Sequence, residues 1–111
     1  LYNCYKILML DIVSFRVYQI LNHHENTVYS LDQFKDTPDF LFSSSEDKTV
    51  LIYNLNSQYK YELIQIIKKS EDKDGGEINK VITLSDGSLG TAERGAISIW
   101  RPIIEKGEKR A

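Results

Sequence analysis

The chain has 111 residues, 41% of them hydrophobic and 27% charged, which fits a globular chain of at most one domain and excludes disorder throughout. A formal charge of −2 and an isoelectric point near 5.7 leave no basic excess to neutralise phosphates, so broad electrostatic binding to nucleic acid or to an acidic membrane is not indicated. The single cysteine, Cys4, has no internal disulfide partner and suits a reducing compartment.

Residues 1 to 21 are apolar, but Lys6, Asp11 and Arg16 interrupt them, each at a cost of roughly 2.5–3.5 kcal/mol near a bilayer centre. A strand pair is therefore expected rather than a membrane span. There is no basic leader with a small-residue cleavage site, and the first residue is not methionine. The expectation is a fragment or processed product of a cytoplasmic or nuclear protein.

Ile7 to Leu10 form an apolar run too short for a helix, read as a strand covered on both faces. Phe15 to Leu21 reads as a strand nearer an edge, with Phe15, Val17 and Gln19 on one face. Asn22 to Asn26 is a polar loop, and Thr27 to Phe34 a strand anchored by Val28, Leu31 and Phe34. Asp36-Thr37-Pro38-Asp39 is turn chemistry, because proline presets its own backbone angle and aspartate bonds the backbone ahead of it. Phe40 to Leu55 is a hairpin of two apolar runs flanking Ser45 to Lys48, and Asn56-Ser57-Gln58 is a further turn. Tyr59 to Lys69 has both helical and strand spacings, and its place in the repeat described below makes it a strand. Lys68 to Glu77, with Gly75-Gly76, reads as an exposed loop. Ile78 to Leu84, the hairpin turn Ser85-Asp86-Gly87, Ser88 to Ala92 and Ala96 to Trp100 follow, and a charged tail closes the chain.

Glu46 to Tyr53 aligns with Glu93 to Trp100 at a period of 47 residues, and Leu10-Asp11 aligns with Tyr53-Asn54 at 43. Upstream, the three-residue spacing Val28, Leu31, Phe34 matches Ile78, Val81, Leu84. Periods of about 40 to 45 residues holding four short strands are the signature of propeller blades. On these residues the chain resembles part of a WD-repeat (WD40) β-propeller. His24 ahead of Val28 is similar to the family's Gly-His segment, Thr37-Pro38-Asp39 resembles its first turn, and Tyr53-Asn54 stands in place of the namesake Trp-Asp. Ile97-Ser98-Ile99-Trp100-Arg101 keeps the tryptophan without the aspartate.

The resemblance implies an all-β fold of four-stranded antiparallel blades forming an incomplete propeller. Residues 1–22 would end one blade, 23–69 would form a complete blade, 70–102 a further blade, and 103–111 a tail or the start of another outer strand. It also implies a hydrogen-bond network of His24, Asp47 and a serine of Ser43 to Ser45, with Tyr53 in place of tryptophan and Trp100 in the corresponding place of the next blade. That network is expected to be absent from the third blade, where Arg94 replaces the aspartate and Gly76 stands near the histidine position.

Asp47, His24 and Ser45 are the residue types of a hydrolytic triad, but no glycine-flanked nucleophile turn accompanies them. His23 and His24 beside Glu25 lack a third metal ligand, and Gly75-Gly76 lacks the lysine of a phosphate loop. No cofactor or metal is expected. Loops gather where function concentrates. The family's loop face maps here onto His23, Glu25, Asn26, Glu46, Lys48, Asp74, Glu77, Glu93 and Arg94. The expected role is a non-catalytic scaffold or adaptor that binds other proteins through this face, with further blades supplied by a longer chain or by self-assembly. The alternatives are a propeller segment of a larger enzyme and a small β domain binding nucleic acid, for which no basic cluster is evident.

Overall fold

The computed structural model describes residues 5–68, 77–93 and 96–101. Asp74, Arg94 and the tail at 103–111 lie outside them. The described residues form nine strands: β1 (Ile7–Leu10), β2 (Val17–Leu21), β3 (Val28–Asp32), β4 (Phe40–Ser45), β5 (Thr49–Leu55), β6 (Tyr61–Lys68), β7 (Ile78–Thr83), β8 (Leu89–Glu93) and β9 (Ala96–Trp100). They pair antiparallel into three sheets, β1-β2, β3-β4-β5-β6 and β7-β8-β9. The fold is all-β, and among the described residues no helix is long and apolar enough to cross a membrane.

The β4–β5 hairpin sits at the centre. All of β4 is buried, as are Val50 to Tyr53 of β5. Side chains alternate across a strand, so the hairpin feeds two cores. Phe40, Phe42, Val50 and Ile52 pack with Phe34 and Ile67 against Ile78, Val81 and Leu89 of the third sheet. Leu41, Leu51 and Tyr53 pack against Ile7 and Leu21 of the first. Phe34 meets Phe42 edge-on, ring centres 5.1 Å apart.

Between sheets, side chains take the place of ladder carbonyls. Ser30 Oγ accepts the Val81 N–H at 2.8 Å, and Asp32 Oδ2 accepts the Thr83 N–H at 2.8 Å. On the outer side the Gln19 amide pairs with both backbone groups of Tyr61, at 2.7 and 2.8 Å. Edge groups that would otherwise need water or another strand are satisfied in this way.

The sheets repeat one another down to their irregularities. Register shifts between Met9 and Leu10 in β1–β2, and between Ile52 and Tyr53 in β5–β6. It shifts again between Val28 and Ser30 in β3–β4 and between Ile78 and Lys80 in β7–β8. A bulge inserts one residue and turns the following side chains to the other face, which is why Ile78 and Val81, three apart, are both buried. Two turns also match. Asp11 and Asn56 each accept backbone N–H groups from the residues after them, and Phe15 and Tyr59 each close their turn at φ 60°. Bulky residues there cost about 1–2 kcal/mol.

Several expectations change. β1 is covered on one face only, with Leu8 and Leu10 exposed. Phe15 and Tyr59 belong to turns instead of strands. Leu31 is exposed: it occupies the place of Val81, which β3 and β4 cover, but the first sheet has no such strands among the described residues. The period of 47 holds for Tyr53 and Trp100, yet their cross-strand partners Leu41 and Leu89 are 48 apart. The third hairpin is thus one residue shorter, and Ser43 corresponds to Thr91 and Ser45 to Glu93.

Phe42→Ala should cost about 3–5 kcal/mol, because its ring fills the shared core of two sheets. Urea denaturation checks this, with a lowered midpoint expected at an unchanged slope.

Candidate functional site: a buried histidine beneath the loop face

Asp47 sits in the tight turn between β4 and β5, where Lys48 adopts φ 71°. Its Oδ1 accepts the Thr49 N–H at 3.0 Å and the Thr49 hydroxyl at 2.5 Å, which shapes the turn. Asp86 does the same for Ser88 in the β7–β8 turn, with Gly87 at φ 91°. The second oxygen of Asp47 reaches across to the loop after β2, accepting the Glu25 N–H and the His24 Nδ1–H, each at 2.9 Å. On the far side of the ring, His24 Nε2 accepts the Ser43 hydroxyl at 2.6 Å. Ser45 Oγ donates to the Asn26 carbonyl at 3.2 Å and accepts the Asp47 N–H at 3.0 Å. The Glu46 N–H donates to Thr27 at 2.9 Å. Loop and turn are fastened together through one imidazole and one carboxylate.

His24 is 3% exposed. Burial pushes its pKa below the usual histidine value, and the hydrogen bond to Asp47 and the charge there only partly offset this. Burial also opposes ionisation of Asp47, but hydrogen bonds from Thr49, Glu25 and His24 outweigh it and hold the carboxyl below its usual range. The pair therefore rests as neutral imidazole and carboxylate. Ser43, His24 and Asp47 are connected like a hydrolytic triad, but Ser43 is fully buried in the central strand and no substrate can reach its hydroxyl. The serine bonded to the imidazole is Ser43, whereas Ser45 holds the backbone of the neighbouring loop. Among the described residues no group of three histidine, cysteine, aspartate or glutamate side chains is placed to hold a metal.

Tyr53 is not bonded to His24. Its hydroxyl lies 3.3 Å from His23 Nδ1, the two rings are 5.6 Å apart, and burial, with the Asp47 charge, pushes the phenol up to about 12. In the third sheet a different network occupies the corresponding place. Trp100 Nε1–H donates to Thr91 Oγ1 at 2.8 Å, Thr91 donates to Glu93 at 3.2 Å, and Ser98 donates to the other Glu93 oxygen at 3.3 Å. A carboxylate from the strand takes the acceptor role that the His24 imidazole fills toward Ser43. Glu93, expected on the exposed loop face, is instead 6% exposed, because the shorter hairpin places it at the inward position of Ser45.

The remaining loop-face candidates gather at one end of the sheets. His23 and Glu25 are exposed, and Asn26, Glu46 and Lys48 half-buried around the His24–Asp47 pair. Glu77 is exposed at the head of β7 and accepts the Tyr29 hydroxyl at 3.4 Å. Burial and the charges of Glu46 and Glu77 raise the Tyr29 pKa. Tyr29 thus joins this face without having been singled out in the sequence. Thr49 was missed as well, although Asp47-x-Thr49 and Asp86-x-Ser88 share a legible spacing.

Ser43→Ala leaves a buried imidazole nitrogen without its donor and should cost about 1–3 kcal/mol, and Asp47→Ala, which strips four hydrogen bonds, about 2–3 kcal/mol. Chemical denaturation reads both. The folded-state pKa of His24 lies below its unfolded value of 6.5, so its contribution is complete above 6.5 and lost as pH falls toward the depressed value. Asp47 acts in the same direction at lower pH, its contribution fading as pH falls from 3.8 through the depressed folded value. The melting temperature should therefore decline on acidification from about pH 7 to 5, and His24→Asn should flatten that slope.

Comparison of the chain with protein-family models, with curated proteins and with solved structures finds no match.

Proposed function

We propose that the chain is a run of consecutive repeats from a WD-repeat type β-propeller, acting as a non-catalytic scaffold that presents the loop end of its sheets to another protein. The observation that carries this reading is the repeated stacking. The second sheet is covered on both faces, and the outer faces of the first and third sheets carry the equivalent apolar positions uncovered. Leu8 and Leu10 stand where Leu51 and Tyr53 stand, and Ile97 and Ile99 where Val50 and Ile52 stand. A groove of about 380 Å³ lined by Ile7, Leu8, Val28 and Leu31 marks where the inner strands of the first sheet would lie. Apolar faces of this kind ask for further repeats in the same stack.

Support for the scaffold role comes from the loop end itself. Hydrogen bonds to Asp47, from Ser45 and to the Thr27 carbonyl hold Glu25, Asn26 and Glu46 in place, and His24 and Ser43 are themselves buried. Rigid display of polar groups suits recognition more than turnover.

Sedimentation velocity of the 111-residue chain should show self-association that rises with concentration and weakens in Ile97→Lys/Ile99→Lys. A compact, stable monomer at every concentration would overturn the stacking reading. With the chain as bait in a cell extract, Glu46→Lys/Glu77→Lys should lose partners that Asp86→Lys, at the opposite end of the sheets, retains. Identical capture by both variants would remove the loop face from the proposal.

A further inference from the structure

The turns at the other end of the first two sheets expose what a soluble chain ordinarily hides. Ile12 is 85% exposed, Val13 86% and Phe15 78%, all in the β1–β2 turn, and Tyr59 in the β5–β6 turn is 76% exposed. The two turns stand side by side, because Lys60 Nζ donates to the Tyr18 carbonyl at 2.6 Å and lies 5.4 Å from the centre of the Tyr18 ring. Phe15 and Tyr59 both hold left-handed backbone at φ 60°, a conformation that glycine adopts freely and an aromatic residue adopts under strain. The strain gains no packing in the fold, since both rings point into water. Glycine would close these turns without the strain, and strained backbone clusters at functional sites.

The shape and chemistry of this tip fit a lipid bilayer. The turn carries three largely exposed apolar side chains, with Arg16 beside them in the chain and Lys60 and the amphipathic rings of Tyr18 and Tyr59 in the adjoining segments. Asp11 and Glu62, among the carboxylates of these segments, are engaged locally. Asp11 accepts the Val13 and Ser14 N–H groups at 2.8 and 2.9 Å, and Glu62 accepts the Asn56 amide at 2.9 Å. A protruding apolar apex enters the boundary between head groups and acyl chains, where tyrosine is at home and basic residues meet phosphate. We propose that the paired turns Asp11–Arg16 and Asn56–Lys60 form a membrane-contacting tip, with Ile12, Val13 and Phe15 inserted and Arg16 and Lys60 at the phosphate level. The contact is insertion at one point, which the acidic overall charge does not oppose as it would broad electrostatic adsorption.

Co-sedimentation of the 111-residue chain with vesicles of phosphatidylcholine containing a minor fraction of phosphatidylserine tests this. The wild-type chain should bind, and Ile12→Ser/Phe15→Ser should lose about tenfold or more in partitioning. Arg16→Gln/Lys60→Gln should lose only the part that depends on phosphatidylserine. Ile97→Ser/Ile99→Ser, which removes exposed apolar side chains from the third sheet, should bind as the wild type does and so separates the tip from general adhesiveness. Phe15→Gly should raise the melting temperature, by relieving the left-handed strain, while weakening vesicle binding; no merely structural role predicts both. Failure of the wild-type chain to sediment with vesicles, or equal loss in the Ile97/Ile99 variant, would overturn the proposal and turn attention to an apolar protein groove as the occupant.

Discussion

Both faces of the β4–β5 hairpin are withdrawn from water, and the remaining architecture answers to that constraint. A strand buried on two sides places every side chain in a low-dielectric setting, so each must be apolar or fully bonded. Phe40, Leu41, Phe42 and Val50 to Ile52 meet the first condition. Ser43, Ser44 and Ser45 meet the second, through His24, Ser30 and the Asn26 carbonyl. The loop after β2 and the neighbouring inner strands are drawn in to satisfy these hydroxyls. Burial and polar satisfaction thus fix the same geometry.

That linkage explains why the His24–Asp47 pair is stable although it resembles reactive machinery. The carboxylate serves four donors and the imidazole is neutral, oriented and sealed. A serine that is fully buried and bonded to the imidazole is a fastening. The third sheet reaches an equivalent end with different parts: Glu93 bonds Thr91 and Ser98, and Thr91 in turn holds Trp100. The requirement that persists between the two sheets is an acceptor for the inward hydroxyl; the residue that meets it differs.

The two ends of the sheets differ in kind. One end holds charged and polar groups on a bonded framework. The other end exposes apolar apices on strained turns. The double-sided packing of the second sheet lies between these two ends.

The strand pattern and the turns at Asp36 to Asp39 and Ser85 to Gly87 were legible from the sequence, because local chemistry and hydrophobic alternation specify them, whereas the pairing of His24 with Asp47 was suggested only by the resemblance to a repeat family. The repeat was legible too, through Tyr53 and Trp100. What the sequence could not settle was which face each residue would take after a bulge, since one inserted residue inverts everything beyond it. Leu31 and Val81 look alike in the sequence, yet only the strands packed alongside decide that one is exposed and the other buried. Glu93 reads as a surface charge until the hairpin length is known, because a turn shorter by one residue carries it inward. Gln19, Ser30 and Asp32 became visible only when neighbouring sheets brought unpaired backbone within their reach. Composition and local pattern determined the strands; packing between sheets decided which polar groups had to find one another.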